Sequence, residues 1–291
     1  MAVTPPVVLT IAGFDPSSGA GITADIKTIA AHECFGVSCI TALTVQSTQG
    51  VRRVVAVDPS LIAEILQELV SDLAVEAVHI GMLGSAQVVA VVADFLDQAS
   101  TGKARLPHVV LDPILKSSSG ADLLDTAGTQ LLIERLVPLA ELVTPNLDEA
   151  SVLTGIAVTN LDQMHEAAAR LHSLGAANVV VTGGHLEKAT DLLSFTTGRG
   201  IEQEVFKADR QRSTSTHGTG CAFATALACH LAHGRGLPEA VLLSKAYVSA
   251  AIANAHPLGK GAGPLHHLYR MGQQRRTSAA VSEAEHSHSR S

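Results

Sequence analysis

Residues 217–221, HGTGC, set a histidine, two glycines and a threonine ahead of a thiol that opens a long apolar run. Phe223, Leu227 and Leu231 recur every four residues, which predicts a helix, and the remaining side is mostly alanine, so little of this helix is made for water. A glycine-rich turn at a helix N-terminus leaves backbone N–H groups without partners, and the helix dipole adds positive potential there. Gly218, Thr219 and Gly220 therefore read as a cradle for a phosphate or an oxyanion. Cys221 stands where the same field would lower a thiol pKa from about 8.5 and favour the thiolate. A loosened turn beside a buried structural cysteine accounts for these residues equally well.

A second glycine-bearing stretch, GFDPSSGAGITAD, spans residues 13–25. Gly19, Gly21 and Ala24 fit the G-x-G-x-x-[GA] spacing of a dinucleotide-binding turn and raise an oxidoreductase reading. The preceding strand is expected to end near Gly13, so the glycines come late; the second strand ends in Gln46, where that fingerprint requires an acid. In TPNLDE (144–149), Asn146 and Glu149 share a face if a helix starts there. An amide oxygen and a carboxylate suit Mg²⁺, which keeps most of its water; the same pair suits an N-cap with first-turn acids. HLAH (230–233) lacks a third ligand, and Cys34 and Cys39 lack a second pair, so no zinc site is expected.

The elements that must position these loops follow from periodicity. VVLTIAG (7–13), VSCITALTVQ (37–46), AVHIGML (77–83), HVVLDPIL (108–115), ELVTPN (141–146) and NVVVTGG (178–184) predict strands that are apolar nearly throughout, as when helices cover both sheet faces. Helices are expected near 20–33, 60–72, 85–99, 121–136, 147–154, 161–175, 219–233 and 237–254. Such alternation predicts an α/β domain with a mainly parallel sheet, and residues 192–208 read as an antiparallel hairpin at its edge. The glycine-bearing and polar loops all follow strands, at the carboxyl ends where an open α/β sheet forms its ligand crevice. No linker divides residues 1–272, and residues 273–291, polar and without apolar periodicity, are predicted to be a disordered tail.

Composition removes several classes. Hydrophobic residues make up 46% of the 291 and charged residues 16%, enough apolar content for a substantial core. Net charge is −7, aromatics are 3% and Trp is absent, so neither the basic stripe nor the stacking platforms of nucleic-acid binding are expected. No apolar run approaches a membrane span. Four cysteines without a disulfide framework, and an N-terminus without an export signal, suit a cytoplasmic enzyme.

LTIAGFDPSSGAGITADIKT, ITALTVQSTQGV, IGMLG, VLDPIL, TPNLDEA, GGHL, STHGTGC and GKGAGPLHH occur in this order over roughly residues 7–270. With them the chain resembles the hydroxymethylpyrimidine kinase / phosphomethylpyrimidine kinase family of thiamine biosynthesis, within the ribokinase-like superfamily. The resemblance implies a central, mostly parallel sheet between helices, with an edge that lids the substrate. It implies phosphorylation, dependent on ATP and Mg²⁺, of 4-amino-5-hydroxymethyl-2-methylpyrimidine and then of its monophosphate, by a homodimer. It implies that Gly13, Asp25, Gln46 and Met82 line the pyrimidine pocket, and that Asn146 and Glu149 meet metal and phosphate. Thr182, Gly183, Gly184 and His185 then fall on the nucleotide side, and Gly218, Thr219, Gly220 and Cys221 on the anion hole and catalytic residue. A carboxamide such as Gln46 can match an aminopyrimidine edge with one donor and one acceptor. A pyridoxal kinase shares the architecture and stays an alternative, as does a non-catalytic ligand-binding relative. One position departs: the family usually carries Lys where this chain has Thr182, which leaves that contact with the nucleotide phosphates open, with Lys116 and Lys260 as candidates to replace it.

Overall fold

The computed structural model describes residues 4–101, 106–184, 186, 188–209, 211 and 213–271; the tail expected at 273–291 and His185 lie outside the described residues. The strands are β1 (Val7–Phe14), β2 (Phe35–Ser47), β3 (Gly50–Ala56), β4 (Val75–Ile80), β5 (Val109–Leu111), β6 (Leu142–Val143), β7 (Asn178–Gly183), β8 (Ala189–Thr197) and β9 (Gly200–Ala208). They form one sheet in the order β3-β2-β1-β4-β5-β6-β7-β8-β9. The six central strands, β2 to β7 in that order, pair in parallel, while β3 at one edge and β8–β9 at the other run antiparallel. The helices are α1 (Gly21–Ala31), α2 (Pro59–Asp72), α3 (Ala86–Thr101), α4 (Thr126–Leu131), α5 (Leu147–Thr154), α6 (Leu161–Ser173), α7 (Thr219–Ala232) and α8 (Leu237–Ala253).

The uninterrupted apolar strands are explained by cover on both faces. Leu9 and Ile11 of β1, Val109 and Leu111 of β5, and Val179 and Val181 of β7 pack on the side of α2, α3, α5 and α6. At the alternate positions, Val8, Val110 and Val180 pack on the opposite side against Phe223, Leu227 and Val241 of α7 and α8. Alternate side chains point to opposite faces of a strand, so a strand buried twice must be apolar at every position.

Three expectations are corrected. β3 escapes periodicity because it is an edge strand: Arg52, Arg53, Val55 and Ala56 are exposed, so no apolar pattern marks it. It gives the sheet antiparallel pieces at both edges, not one. The strand expected to run to residue 115 stops at Leu111, and that expected to reach 146 stops at Val143. Pro113 and Pro145 follow closely and have no N–H to continue a ladder. The helix expected over 121–136 begins at Thr126, capped by Asp125, and passes into a π turn at Leu132–Leu136 and a 3₁₀ turn at Val137–Leu139.

One buried polar cluster fixes the depth of α7. Asp25 of α1 is fully buried, and its Oδ2 accepts a hydrogen bond from the Thr10 hydroxyl of β1 at 2.8 Å. Its Oδ1 accepts from the Thr225 hydroxyl of α7 at 3.0 Å, and His79 Nδ1 of β4 lies 3.5 Å from Oδ2. Two helices are thus tied to two strands through one carboxylate. Thr225→Val keeps the side-chain shape but leaves Asp25 Oδ1 without that donor. The unpaired oxygen should lower unfolding stability by about 1–3 kcal/mol, read as a fall in the urea midpoint. An unchanged midpoint would mean that this bond does not hold α7.

Candidate active site

The two glycine stretches meet at the carboxyl ends of the strands. Gly218 is the N-cap of α7 with φ 83°, in the left-handed region that glycine enters without strain. A Cβ there would overlap the carbonyl oxygen of Gly19, and a Cβ on Gly19 would overlap the His217 ring. Asp15 clamps this junction. Its Oδ2 lies 3.0 Å from His217 Nε2 and accepts from the N–H groups of Gly19 and Ala20, while Oδ1 accepts from the N–H and hydroxyl of Ser17. Burial works to raise the Asp15 pKa, but the donors from His217, Ser17 and Ala20 outweigh it and bring the group down to about 2. Glycine at 19 is explained by the His217 ring packed on it and at 21 by the Gly13 carbonyl, so this spacing does not require a dinucleotide.

His217 reaches further. Its Nδ1 is 3.0 Å from Ser118 Oγ, and its Nε2 is 3.1 Å from the Gln46 amide nitrogen, whose companion oxygen accepts from the Thr44 hydroxyl. Gly13 lies against Met82: a Cβ on that glycine would come 2.8 Å from the Met82 sulfur. Gly13, Gln46 and Met82 therefore gather at one end of β1, β2 and β4, with Met82 also packed on Ala42 and Leu123. Asp25 does not join them. It lies in the second turn of α1, and the Thr10 and Thr225 hydroxyls occupy both of its oxygens.

The thiolate expectation for Cys221 is also corrected. Burial, then the negative charges of Asp112 and Asp25, push the thiol well above its usual range; Glu149 adds to this, and a backbone hydrogen bond from Gly21 offsets little of it. The field of the helix N-terminus is outweighed by burial first and then by carboxylates that only the fold brings near. Asp112, which directly follows β5, was not singled out from the sequence, although an acid ending an apolar strand in VLDPIL was the signal. It is 4% exposed, and among the described residues its Oδ2 has no hydrogen-bond partner. Burial and the charges of Glu149 and Asp25 raise its pKa well above the carboxylate range. A Cβ on Gly220 would stand 3.7 Å from that oxygen, so the carboxylate faces the first turn of α7.

Asn146 and Glu149 form the capping box of α5: Asn146 Oδ1 accepts from the Glu149 N–H and Glu149 Oε2 from the Asn146 N–H, each at 2.9 Å. The cap does not exhaust Glu149, which is buried and held by that burial at a pKa of about 7. The Asn146 amide oxygen is engaged in the cap, and Glu149 lies near enough to Asp112 for its charge to raise the Asp112 pKa. Among the described residues no three His, Cys, Asp or Glu side chains converge on a metal position. Two buried carboxylates, one with an unpartnered oxygen, fit Mg²⁺, which takes one or two carboxylates and completes its shell with water and substrate phosphate.

Thr219 and Gly220 line a pocket of about 340 Å³ with Asn146, Thr182 and Gly184. Thr182 donates its N–H to the Pro145 carbonyl. Neither candidate to replace a lysine at 182 is on this wall: Lys116 pairs with Asp122 at the surface and Lys260 is exposed. Lys245 of α8 is on it, paired with Asp191.

The sequence profile of the family described as phosphomethylpyrimidine kinase matches residues 15–266. The chain is similar to the thiamine biosynthesis bifunctional protein ThiED of Geobacter sulfurreducens, 44% identical over 261 residues; the match covers 90% of this chain but 52% of that one, so the chain spans about half its length. It is 40% identical over 272 residues to the hydroxymethylpyrimidine/phosphomethylpyrimidine kinase of Streptomyces coelicolor, covering 93% of this chain and 97% of the relative. Among solved structures, the ADP complex of Bacillus subtilis pyridoxal kinase superposes with a TM-score of 0.81 at 33% identity, over 92% of this chain and all of that one.

Gly218→Ala tests the junction. A left-handed L-residue costs roughly 1–2 kcal/mol, and the overlap with Gly19 adds to it. The variant should melt several degrees below the wild type in a calorimetric scan. An unchanged melting temperature would mean that the two turns do not touch.

Proposed function

The chain belongs to the phosphomethylpyrimidine kinase family, and from that premise we propose that it transfers the γ-phosphoryl group of ATP to the hydroxymethyl group of 4-amino-5-hydroxymethyl-2-methylpyrimidine and then phosphorylates the monophosphate, in thiamine biosynthesis. One observation carries this reading. Four consecutive residues stand between two subsites: His217 contacts Gln46 on one side, while Thr219 and Gly220 line the 340 Å³ pocket on the other. A group passed from one subsite to the other crosses the N-terminus of α7, where backbone N–H groups are positioned for an anion.

Each subsite suits its reactant. At the first, the Gln46 carboxamide can pair with the amine and ring nitrogen of the pyrimidine, and the bare backbone of Gly13 lets the Met82 side chain pack against it, a soft contact for a ring face. At the second, Phe223, Val248 and Ile252 offer an apolar wall for a nucleobase, and Asn146, Thr182 and Gly184 a polar one. Phosphoryl transfer asks a protein mainly to position the reactants and offset charge. Gly218, Thr219 and Gly220 hold the transferring group, and Asp112 and Glu149 are the residues that would hold Mg²⁺. Bound there, the ion would supply positive charge to the polyphosphate and balance two of the three carboxylates that keep the Cys221 thiol protonated. Cys221, on the first turn of α7, is the residue we assign to receive the proton of the attacking hydroxyl; it does so as the thiolate, so the thiol must first lose its own proton to solvent, a loss that the positive charge brought by the metal favours.

Two coarser features accompany this reading. No helix among the described residues is long and apolar enough to cross a membrane, and the four cysteines are free, which accords with a reducing cytoplasm. Phe35, Leu43 and Val45 of β2 and Val55 of β3 are exposed at the sheet edge, which supports a homodimer.

A coupled ADP-release assay against the hydroxymethyl pyrimidine, its monophosphate and pyridoxal tests the activity. ADP release should depend on the pyrimidine or its monophosphate. Cys221→Ala should cut turnover by about 10²–10⁴-fold, the usual share of a positioned acid–base group, while leaving nucleotide affinity near that of the wild type. Turnover faster with pyridoxal than with either pyrimidine would favour the activity of the Bacillus subtilis relative. Near-normal turnover in the alanine variant would make the thiol structural.

A further inference from the structure

Lys245 is a buried cation for which the scheme above has no use. It is 9% exposed on α8, and its Nζ lies 2.6 Å from Asp191 Oδ2. Asp191, on β8, is 5% exposed, and its other oxygen accepts from the Gly183 N–H at 3.1 Å. Across the β7–β8 ladder Asp191 stands directly opposite Thr182. The pair therefore joins α8 to the turn at the end of β7, and both partners line the pocket that Thr219 and Gly220 enter.

A buried ion pair is a weak device for stability, since desolvating both charges costs about as much as their attraction returns. Lys245 shares its wall with Phe223, Val248 and Ile252, among which an apolar side chain would pack as well. Charge supplies a better reason for its presence. Among the described residues of the pocket wall Lys245 is the one cation, and Asp191 and Asp209 are the anions. Without it, the charged side chains among the described residues of this wall would be Asp191 and Asp209 alone. A lysine ammonium carries three N–H donors, and Asp191 is the one acceptor shown for it among the described residues.

We propose that Lys245, oriented by Asp191, donates to the polyphosphate of the nucleotide and so supplies the cation that Thr182 does not. Asp191 acts as a positioning residue: it holds the ammonium at the pocket wall and, through Gly183, fixes the Thr182–Gly184 turn relative to it. The inference rests on the kinase reading, because it requires a nucleotide in this pocket.

The obvious variant, Lys245→Met, leaves Asp191 buried and unpaired and risks the fold. Lys245→Met/Asp191→Asn removes both charges and keeps an oxygen for the Gly183 N–H. Calorimetric titrations of wild type and both variants with adenosine, with ADP and with a non-hydrolysable ATP analogue, all in Mg²⁺, separate the cases. The double variant should bind adenosine like the wild type but bind ADP and the analogue roughly ten-fold or more weakly, as for a lost charge-assisted hydrogen bond. Wild-type affinity for ADP and the analogue in the double variant overturns the assignment. So does equal weakening of adenosine and ADP, which marks a structural pair. A wild type that binds no nucleotide at all overturns the kinase reading, and this inference with it.

Discussion

Two backbone turns held in contact organise this molecule. Gly218 can sit against the Gly19 carbonyl only because neither residue carries a side chain, and the Asp15–His217 pair closes the contact. The first turn comes from the β1–α1 loop and the second opens α7, so the junction brings the N-terminus of a late helix onto the first strand of the sheet. Below it, Asp25 ties Thr10 to Thr225 and sets how deep that helix lies. Gln46 joins through His217, and Asp112 faces Gly220 from β5. The first turn of α7 becomes the common wall of both subsites without a loop of its own.

That geometry creates an electrostatic imbalance. Asp25, Asp112 and Glu149 all act on Cys221, and all are buried. Asp25 is satisfied by hydroxyl donors, and Glu149 is partly satisfied by its cap, but Asp112 keeps an oxygen without a partner. Burial disfavours the charged form of each group; it raises Asp112, Glu149 and the thiol alike, and nearby negative charge adds to it, that of Glu149 and Asp25 on Asp112, of Asp148 on Glu149, and of Asp112, Asp25 and Glu149 on Cys221. The arrangement favours a cation beside the helix N-terminus and an anion on it, the two charges that a metal–polyphosphate carries.

Much of this was readable from residues alone because the signals were local. The strands were legible because burial on two faces makes every position apolar, as in Val109–Leu111, and the anion cradle because glycine and a helix start are adjacent in sequence. β3 was missed because an edge strand has no buried face to mark it. The ionisation of Cys221 was misjudged because the helix end is local, whereas Asp25, Asp112 and Glu149 reach it from three separate elements. Lys245 was invisible for a like reason: a lone lysine in an apolar helix reads as a surface position, and its partner Asp191 lies on another element.

Hydrogen–deuterium exchange of the whole chain, free and with Mg²⁺, a non-hydrolysable ATP analogue and the hydroxymethyl pyrimidine, tests most directly whether the α7 N-terminus holds the transferring group. Amides of residues 217–222 should gain protection only when nucleotide is present, together with those of 182–184. Protection that leaves 217–222 unchanged while appearing elsewhere would contradict the placement of the phosphate at this helix.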